Sequence, residues 1–273
     1  MSVVRNWSVG RALSLAALAA AAALSLFPFY WMIIGTTLNP AEVLKGTLIP
    51  GRVIADNWAK AAKYYNLGLF FWNSLKIALL TVVFGLIVNG LAAYGFEKYP
   101  SKARDRCFGI LLLTLIIPQI ALVIPMFRMF AHFNFLNTHA AIILPGVMSV
   151  FIIFFMRQNF KMFPTEIMEA ARVDGASELS TLIRIVTPSM QATYASAAIY
   201  LFLGQWNAYI WPLIVILSDL KKTLPLAMAG MMSSYAIEYG SMMILACISV
   251  LPVLVLFLSM QKQFVAGLLG SIK

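Results

Sequence analysis

The side chains able to do chemistry in this 273-residue sequence are few, and their positions exclude more than they offer. A phosphate-cradling loop needs the pattern G-x-x-x-x-G-K-[ST], in which lysine and a hydroxyl reach phosphate and magnesium. The nearest approach runs from Gly46 to Gly51 and is followed by Arg52 and Val53, so both of those groups are missing. ATP hydrolysis on this chain is therefore not expected, and no cofactor is assigned to it. The ten acidic residues, from Glu42 to Glu238, and both histidines, His132 and His139, fall outside the long apolar runs. A proton-driven carrier places such groups inside the membrane, where they hold and release the proton. Cys107 and Cys247 lie far apart in apolar surroundings and read as small buried hydrophobes, with no metal implied.

Uncharged polar and aromatic side chains remain. Gln119, Gln205, Trp206, Asn207 and Tyr209 stand near Pro118 and Pro212, where helices are able to bend. Together they supply hydrogen bonds and flat apolar faces, which suit a neutral hydroxylated solute. A charged solute would favour fixed counter-charges, and Lys76 is the single candidate. The same residues also have a structural use: Trp and Tyr form interfacial belts, and Asn and Gln bond neighbouring helices.

These residues sit in a chain that is 62% hydrophobic and 11% charged, against roughly 25% charged in soluble domains. Six apolar stretches approach the 20 or so residues needed to cross a hydrocarbon core of about 30 Å: Ala12–Ile34, Ile77–Phe96, Cys107–Phe127, Ala140–Met156, Ala192–Leu217 and Met242–Met260. The runs are continuous rather than alternating, so helices are expected and a barrel is not. The first run extends past the 7–15 residues or so of a signal h-region and reads as an uncleaved helix. Pro28, Pro118, Pro125, Pro145, Pro212 and Pro252 lie inside the runs, where neighbouring helices must satisfy the freed carbonyls. With six crossings both termini share a side. That side collects twelve Lys and Arg, among them Lys98, Lys102, Arg104, Arg106, Arg157 and Lys161, against seven opposite. The excess puts both termini in the cytoplasm and accounts for the net charge of +10 without nucleic acid. Ser233–Gly240 reads as an outside segment.

The inside connection, residues 157–191, has a structure of its own. Pro164 is placed to open a helix, since its missing N–H is not needed there, and Gly175 to end it. Ile167, Ala170 and Ala171 share a face at helical spacing, Glu169 and Arg172 are i, i+3 neighbours, and Ser177 is placed to cap a second short helix towards Ile185. An amphipathic helix lying on headgroups is one reading. The alanines, where a membrane-binding face would carry Leu, Phe or Trp, suit docking into another protein instead.

Here the sequence resembles a known family. Glu169-Ala170-Ala171, three residues, Gly175, nine residues, Ile185, one residue, then Thr187-Pro188 is similar to the EAA loop of ABC importer permeases, with Thr187 where that pattern has leucine. Glu169 to Ser177, EAARVDGAS, resembles the carbohydrate-uptake, maltose-type (MalG-like) branch. Asn73-Ser74-Leu75, Ala93-Tyr94, Gln205 through Leu213 and the tail from Gly267 to Lys273 agree.

The resemblance implies an all-α integral membrane protein with the MetI-like permease fold: one transmembrane domain over residues 1–273, six crossings and a cytoplasmic coupling helix. Glu169, Ala170, Ala171, Asp174 and Gly175 would seat that helix on the ATPase. The implied partners are a second homologous permease, an ATPase dimer binding ATP and magnesium, an extracytoplasmic solute-binding protein and membrane lipid. A bacterial inner-membrane importer of a sugar or similar polyhydroxylated solute is the expected function. A gradient-driven carrier or channel working without an ATPase is the alternative.

Overall fold

The computed structural model describes residues 9–64, 66–99, 101–232 and 237–270. Arg5, Lys273, Ser233–Ala236 of the expected outside segment and the last three residues of the family-like tail lie outside them. Among the described residues there is no strand. Contacts divide the chain into two compact units, Met1–Leu67 with Met228–Val250 and Gly68–Ala227 with Leu251–Lys273.

In the first unit, helix α1 (Val9–Gly35) is apolar and unburied through its most hydrophobic window. Two short helices follow. α2 (Pro40–Leu44) opens with a capping box between Asn39 and Glu42, and α3 is Ile54–Tyr64. The outside connection expected after Ile34 is thus mostly folded. Asn57 organises it: the buried side chain donates to Thr36 O and Leu38 O, both at 2.9 Å, and Ser241 Oγ donates to Asn57 O at 3.0 Å. A small core of Ile34, Leu38 and Val43 packs with Trp31, Tyr239 and Met243.

The long helix α4 (Leu67–Lys98) begins nearly three turns before the apolar run and carries most of the second unit. α5 (Lys102–Leu113) ends in a 3-10 turn and breaks at Ile117-Pro118. A second 3-10 turn leads into α6 (Val123–His132). This pair is bent by 98°, so the third expected run is not one straight helix, its kink lying at Pro118 as the missing N–H requires. α7 (His139–Val147) and α8 (Val150–Lys161) nearly continue one another across Met148-Ser149. After the inside connection come α12 (Gln191–Trp206), α13 (Ile210–Val215), α14 (Leu224–Met232) and α15 (Tyr239–Gly270); α9 to α11 are described below.

Among the described residues four helices are long and apolar enough to cross a membrane, and the bent pair makes a fifth if taken as one span. The run from Ala192 to Leu217 is different from expectation. It is divided at Asn207–Tyr209, leaving 16 residues in α12 and 6 in α13, each short of a crossing of about 20. Pro212 fits in the first turn of α13, where no N–H is needed.

The break between α7 and α8 leaves backbone groups without helical partners in an apolar interior, and Asn89 of α4 supplies them. Fully buried, it donates Nδ2 to Val147 O at 2.8 Å and accepts Ser149 N–H on Oδ1 at 2.9 Å. Beneath it lies a core of Phe108, Ile152, Ile153, Met156 and Phe160 among others. Towards the other end of α4, Asn73 donates to Leu220 O and Lys222 O, both at 3.0 Å, and Ser74 Oγ accepts Leu224 N–H at 2.7 Å. Replacing Asn89 by alanine strands the Ser149 N–H and Val147 C=O. We expect the purified protein to lose about 1–3 kcal/mol, read as a lowered unfolding temperature in detergent. Asn207→Ala, at an exposed helix end, should cost less than about 0.5 kcal/mol.

Candidate functional site

The inside connection folds as three short helices and a wide turn. α9 is Thr165–Val173, entered through Pro164, whose φ of −57° and ψ of 125° set the chain outside the helix. It ends as expected at Gly175, whose φ of +82° is a left-handed conformation that glycine adopts without a Cβ penalty. Gly175 N–H donates to Arg172 O at 3.0 Å and Ala176 N–H to Ala171 O at 2.9 Å, the paired bonds of a Schellman ending. Ser177 Oγ then accepts Ser180 N–H at 3.3 Å and starts α10 (Glu178–Thr181). A π-helical turn, Leu182–Val186, follows, then α11 (Thr187–Ser189). Thr187, where the family pattern has leucine, donates to Tyr194 Oη at 3.2 Å.

The faces of α9 differ from those expected. Met168 and Ala171 are buried, Met168 in a core with Phe160, Phe163, Leu182 and Val186, while Ile167 and Ala170 point outward. The reason is the i, i+3 geometry of Met168 and Ala171, which matches a larger side chain to the core and leaves the small-residue face divided. Ala171 is thus a packing residue of this chain. Glu166, Ile167, Glu169, Ala170, Val173, Asp174 and Gly175 are exposed, Val173 at 88%. A surface of this kind, with carboxylates around bare apolar side chains, is suited to a protein partner.

Charged side chains hold the loop to the helices above it. Arg172 does not pair with Glu169; its Nε donates to Glu178 Oε1 at 2.6 Å, the Gly175 turn having brought residues six apart together. Glu178 Oε2 also accepts the Tyr94 hydroxyl at 3.2 Å. The hydrogen bond from Arg172 holds the Glu178 carboxyl below the usual carboxylate range, and burial together with the hydrogen bond to Glu178 pushes the Tyr99 phenol up. A depressed carboxyl contributes its stability in full above the ordinary carboxylate range and loses it only as acid titrates Glu178 below that range. Lys98 Nζ donates to Phe163 O at 3.3 Å. Arg157 bonds Glu97 at 3.1 Å and Asp105 at 3.2 Å, its guanidinium 4.1 Å from the centre of the Phe108 ring. Tyr94, Tyr99, Glu97 and Glu178 had no role by sequence spacing alone, because their partners come from other helices.

The candidate pathway residues divide between two helix breaks. Gln119 is exposed and begins the 3-10 turn after Pro118. Gln205, Trp206, Asn207 and Tyr209 surround the α12–α13 break. Gln205 Oε1 fills the space beside Gly146, 2.6 Å from where a Cβ would stand. Trp206 is buried, stacked on Phe202 at 5.6 Å and edge-on to Phe71 at 5.8 Å, so its ring serves packing here. Asn207 Nδ2 donates to Leu203 O at 3.0 Å, and Tyr209 is 38% exposed.

Comparison with known proteins follows the same lines. Residues 82–269 match the family described as binding-protein-dependent transport system inner membrane component. The chain is 46% identical over 256 residues, 94% of each chain, to the lactose transport system permease protein LacG of Rhizobium radiobacter. It is 30% identical over 259 residues to the arabinooligosaccharides transport system permease protein AraQ of Bacillus subtilis, covering 92% of this chain and 91% of that one. With the sn-glycerol-3-phosphate transport system permease protein UgpE of Pectobacterium atrosepticum, identity is 32% over 261 residues, 91% and 92% of the two chains. A bacterial ABC transporter involved in import of the acidic polysaccharide alginate has a chain of the same fold, with a TM-score of 0.81 at 18% identity over 95% of this chain and 99% of that one.

Gly175→Ala forces a side chain into the left-handed region, at about 1–2 kcal/mol. Amide exchange across residues 171–177 should quicken while the unfolding temperature of the whole protein moves little. Unchanged exchange there would show that the ending does not depend on glycine.

Proposed function

Since the chain belongs to the family of binding-protein-dependent transport system inner membrane components, which are ABC importer permeases and not enzymes, we propose that it carries a sugar or similar polyhydroxylated solute into the cell by ATP-driven alternating access. Lactose or a related disaccharide is the first candidate. The observation that supports it best is the 46% identity along 94% of a lactose permease. The absence of acidic residues and histidines from the apolar runs agrees with a neutral solute.

The protein would act as a single permease domain of six crossings, with α12 and α13 together forming the fifth and both termini in the cytoplasm. Its partners would be a second permease, a solute-binding protein outside and an ATPase pair inside, with ATP and magnesium on the ATPase. Glu169, Ala170, Asp174 and Gly175 would form the surface of the coupling helix α9 that enters the ATPase, with Ala171 fixing that surface from behind. Closure of the ATPase pair would push α9 and rock the crossings from inward-open to outward-open. Gln119, Gln205, Asn207 and Tyr209 would meet solute at the two helix breaks, with Trp206 supporting them.

The test is reconstitution of the complete importer in liposomes. ATP-dependent uptake of labelled lactose, competed by unlabelled sugars, is the expected result; no ATP-dependent uptake of any sugar would overturn the reading. The double variant Glu169→Lys, Gly175→Val should remain folded, and its uptake should fall at least about tenfold, as the loss of a few docking contacts implies. Full uptake by that variant would remove the loop from the coupling mechanism.

A further inference from the structure

We propose that Glu178 is a positioning residue that fastens the coupling helix α9 to the C-terminal end of α4, so that the two travel as one body during transport. The inference rests on the transporter reading but concerns a residue outside the docking surface and outside the solute pathway.

Glu178 stands at the start of α10 and uses its two carboxylate oxygens in two directions. Oε1 takes the Arg172 guanidinium, from the last turn of α9, at 2.6 Å. Oε2 takes the Tyr94 hydroxyl, from the last turns of α4, at 3.2 Å. One rigid carboxylate therefore spans the gap between the loop and the crossing helix, with charge-assisted bonds that are about twice as strong as neutral ones. Tyr94 is itself fixed, buried and held edge-on by Phe160 at 6.3 Å and Tyr99 at 6.4 Å. A second tie runs parallel to the first, from Lys98 Nζ to Phe163 O at 3.3 Å just before α9. Beneath both, Met168 and Ala93 share one core.

What makes the joint consequential is the other end of α4. The helix is unbroken for 32 residues, a length of about 48 Å. Near its start Asn73 and Ser74 hold the backbone of Leu220, Lys222 and Leu224. A displacement of α9 is thus delivered to the 220–224 segment without passing through any of the helix breaks. A contact that merely steadied the loop would need Arg172 and Glu178 but not the Tyr94 hydroxyl.

The experiment uses the assembled importer with Cys107 and Cys247 replaced by serine and spin labels at the exposed positions 91 and 165. Distances are measured by pulsed electron resonance without nucleotide and with ATP trapped by a hydrolysis-deficient ATPase partner. One narrow distance, the same in both states, is expected. Glu178→Ala should broaden it, and uptake per ATP hydrolysed should fall about tenfold, as expected for a lost charge-assisted bond. Tyr94→Phe, which leaves the loop intact, should broaden it as well. A parent distance that shifts between the two states overturns the proposal, as does a Tyr94→Phe distribution as narrow as the parent's. If the parent keeps its distance but imports nothing, the transport reading fails while the joint stands.

Discussion

Hydrocarbon offers a backbone N–H or C=O no partner, so every interruption of a helix in such surroundings must be satisfied from within the protein. The rest of this structure follows from that constraint. Asn89 supplies the break between α7 and α8, and Asn73 with Ser74 the chain before α14. Asn137, in the left-handed region at φ 57°, accepts Leu217 and Ser218 N–H on its Oδ1, and the Trp211 indole donates to Ala141 O at 2.8 Å. An amide side chain is well suited to the task because it donates and accepts at once.

Because such breaks are supported, the protein can have them, and Gln119 and Gln205 to Tyr209 stand at two further ones. An unbroken helix presents side chains only. A broken one also presents carbonyls and amides, and it can change angle where it is interrupted. The unbroken α4 has the complementary property. It holds partners of the breaks along one helix, so the interrupted elements are referred to a single continuous element.

Much of this was legible in the sequence. Apolar length marked α1, α4, α7–α8 and α15, and Pro118 marked the bend between α5 and α6. Pro164, Gly175 and Ser177 marked the ends of the loop helices to the residue, because caps and left-handed turns depend on local chemistry. A bend in the fifth run was legible from Pro212, but not the full interruption at Asn207–Tyr209, since apolar residues continue on both sides of it. The separation of Ala171 from Ile167 and Ala170 was not legible, because periodicity says which residues share a face but not where its edge is covered; Phe160 and Leu182, from other elements, take up Met168 on the covered side. The pairing of Arg172 with Glu178 was hidden for a similar reason. The spacing rule for helices stops at four residues, and these two meet across a turn.

The supporting amides have a further consequence for how the chain is made. Asn89 and the carbonyl it serves are 58 residues apart, and Asn73 and Leu220 are 147 apart. At a synthesis rate of about 5–20 residues per second, the first amide waits roughly 3–12 seconds for its partner and the second roughly 7–30 seconds. During that interval an α4 already formed would hold the Asn89 amide on Gly85 O alone and its oxygen unmatched, in a place where leaving it so is costly. The nascent helix therefore has reason to stay beside the insertion machinery, or beside water, until α7 and α14 arrive.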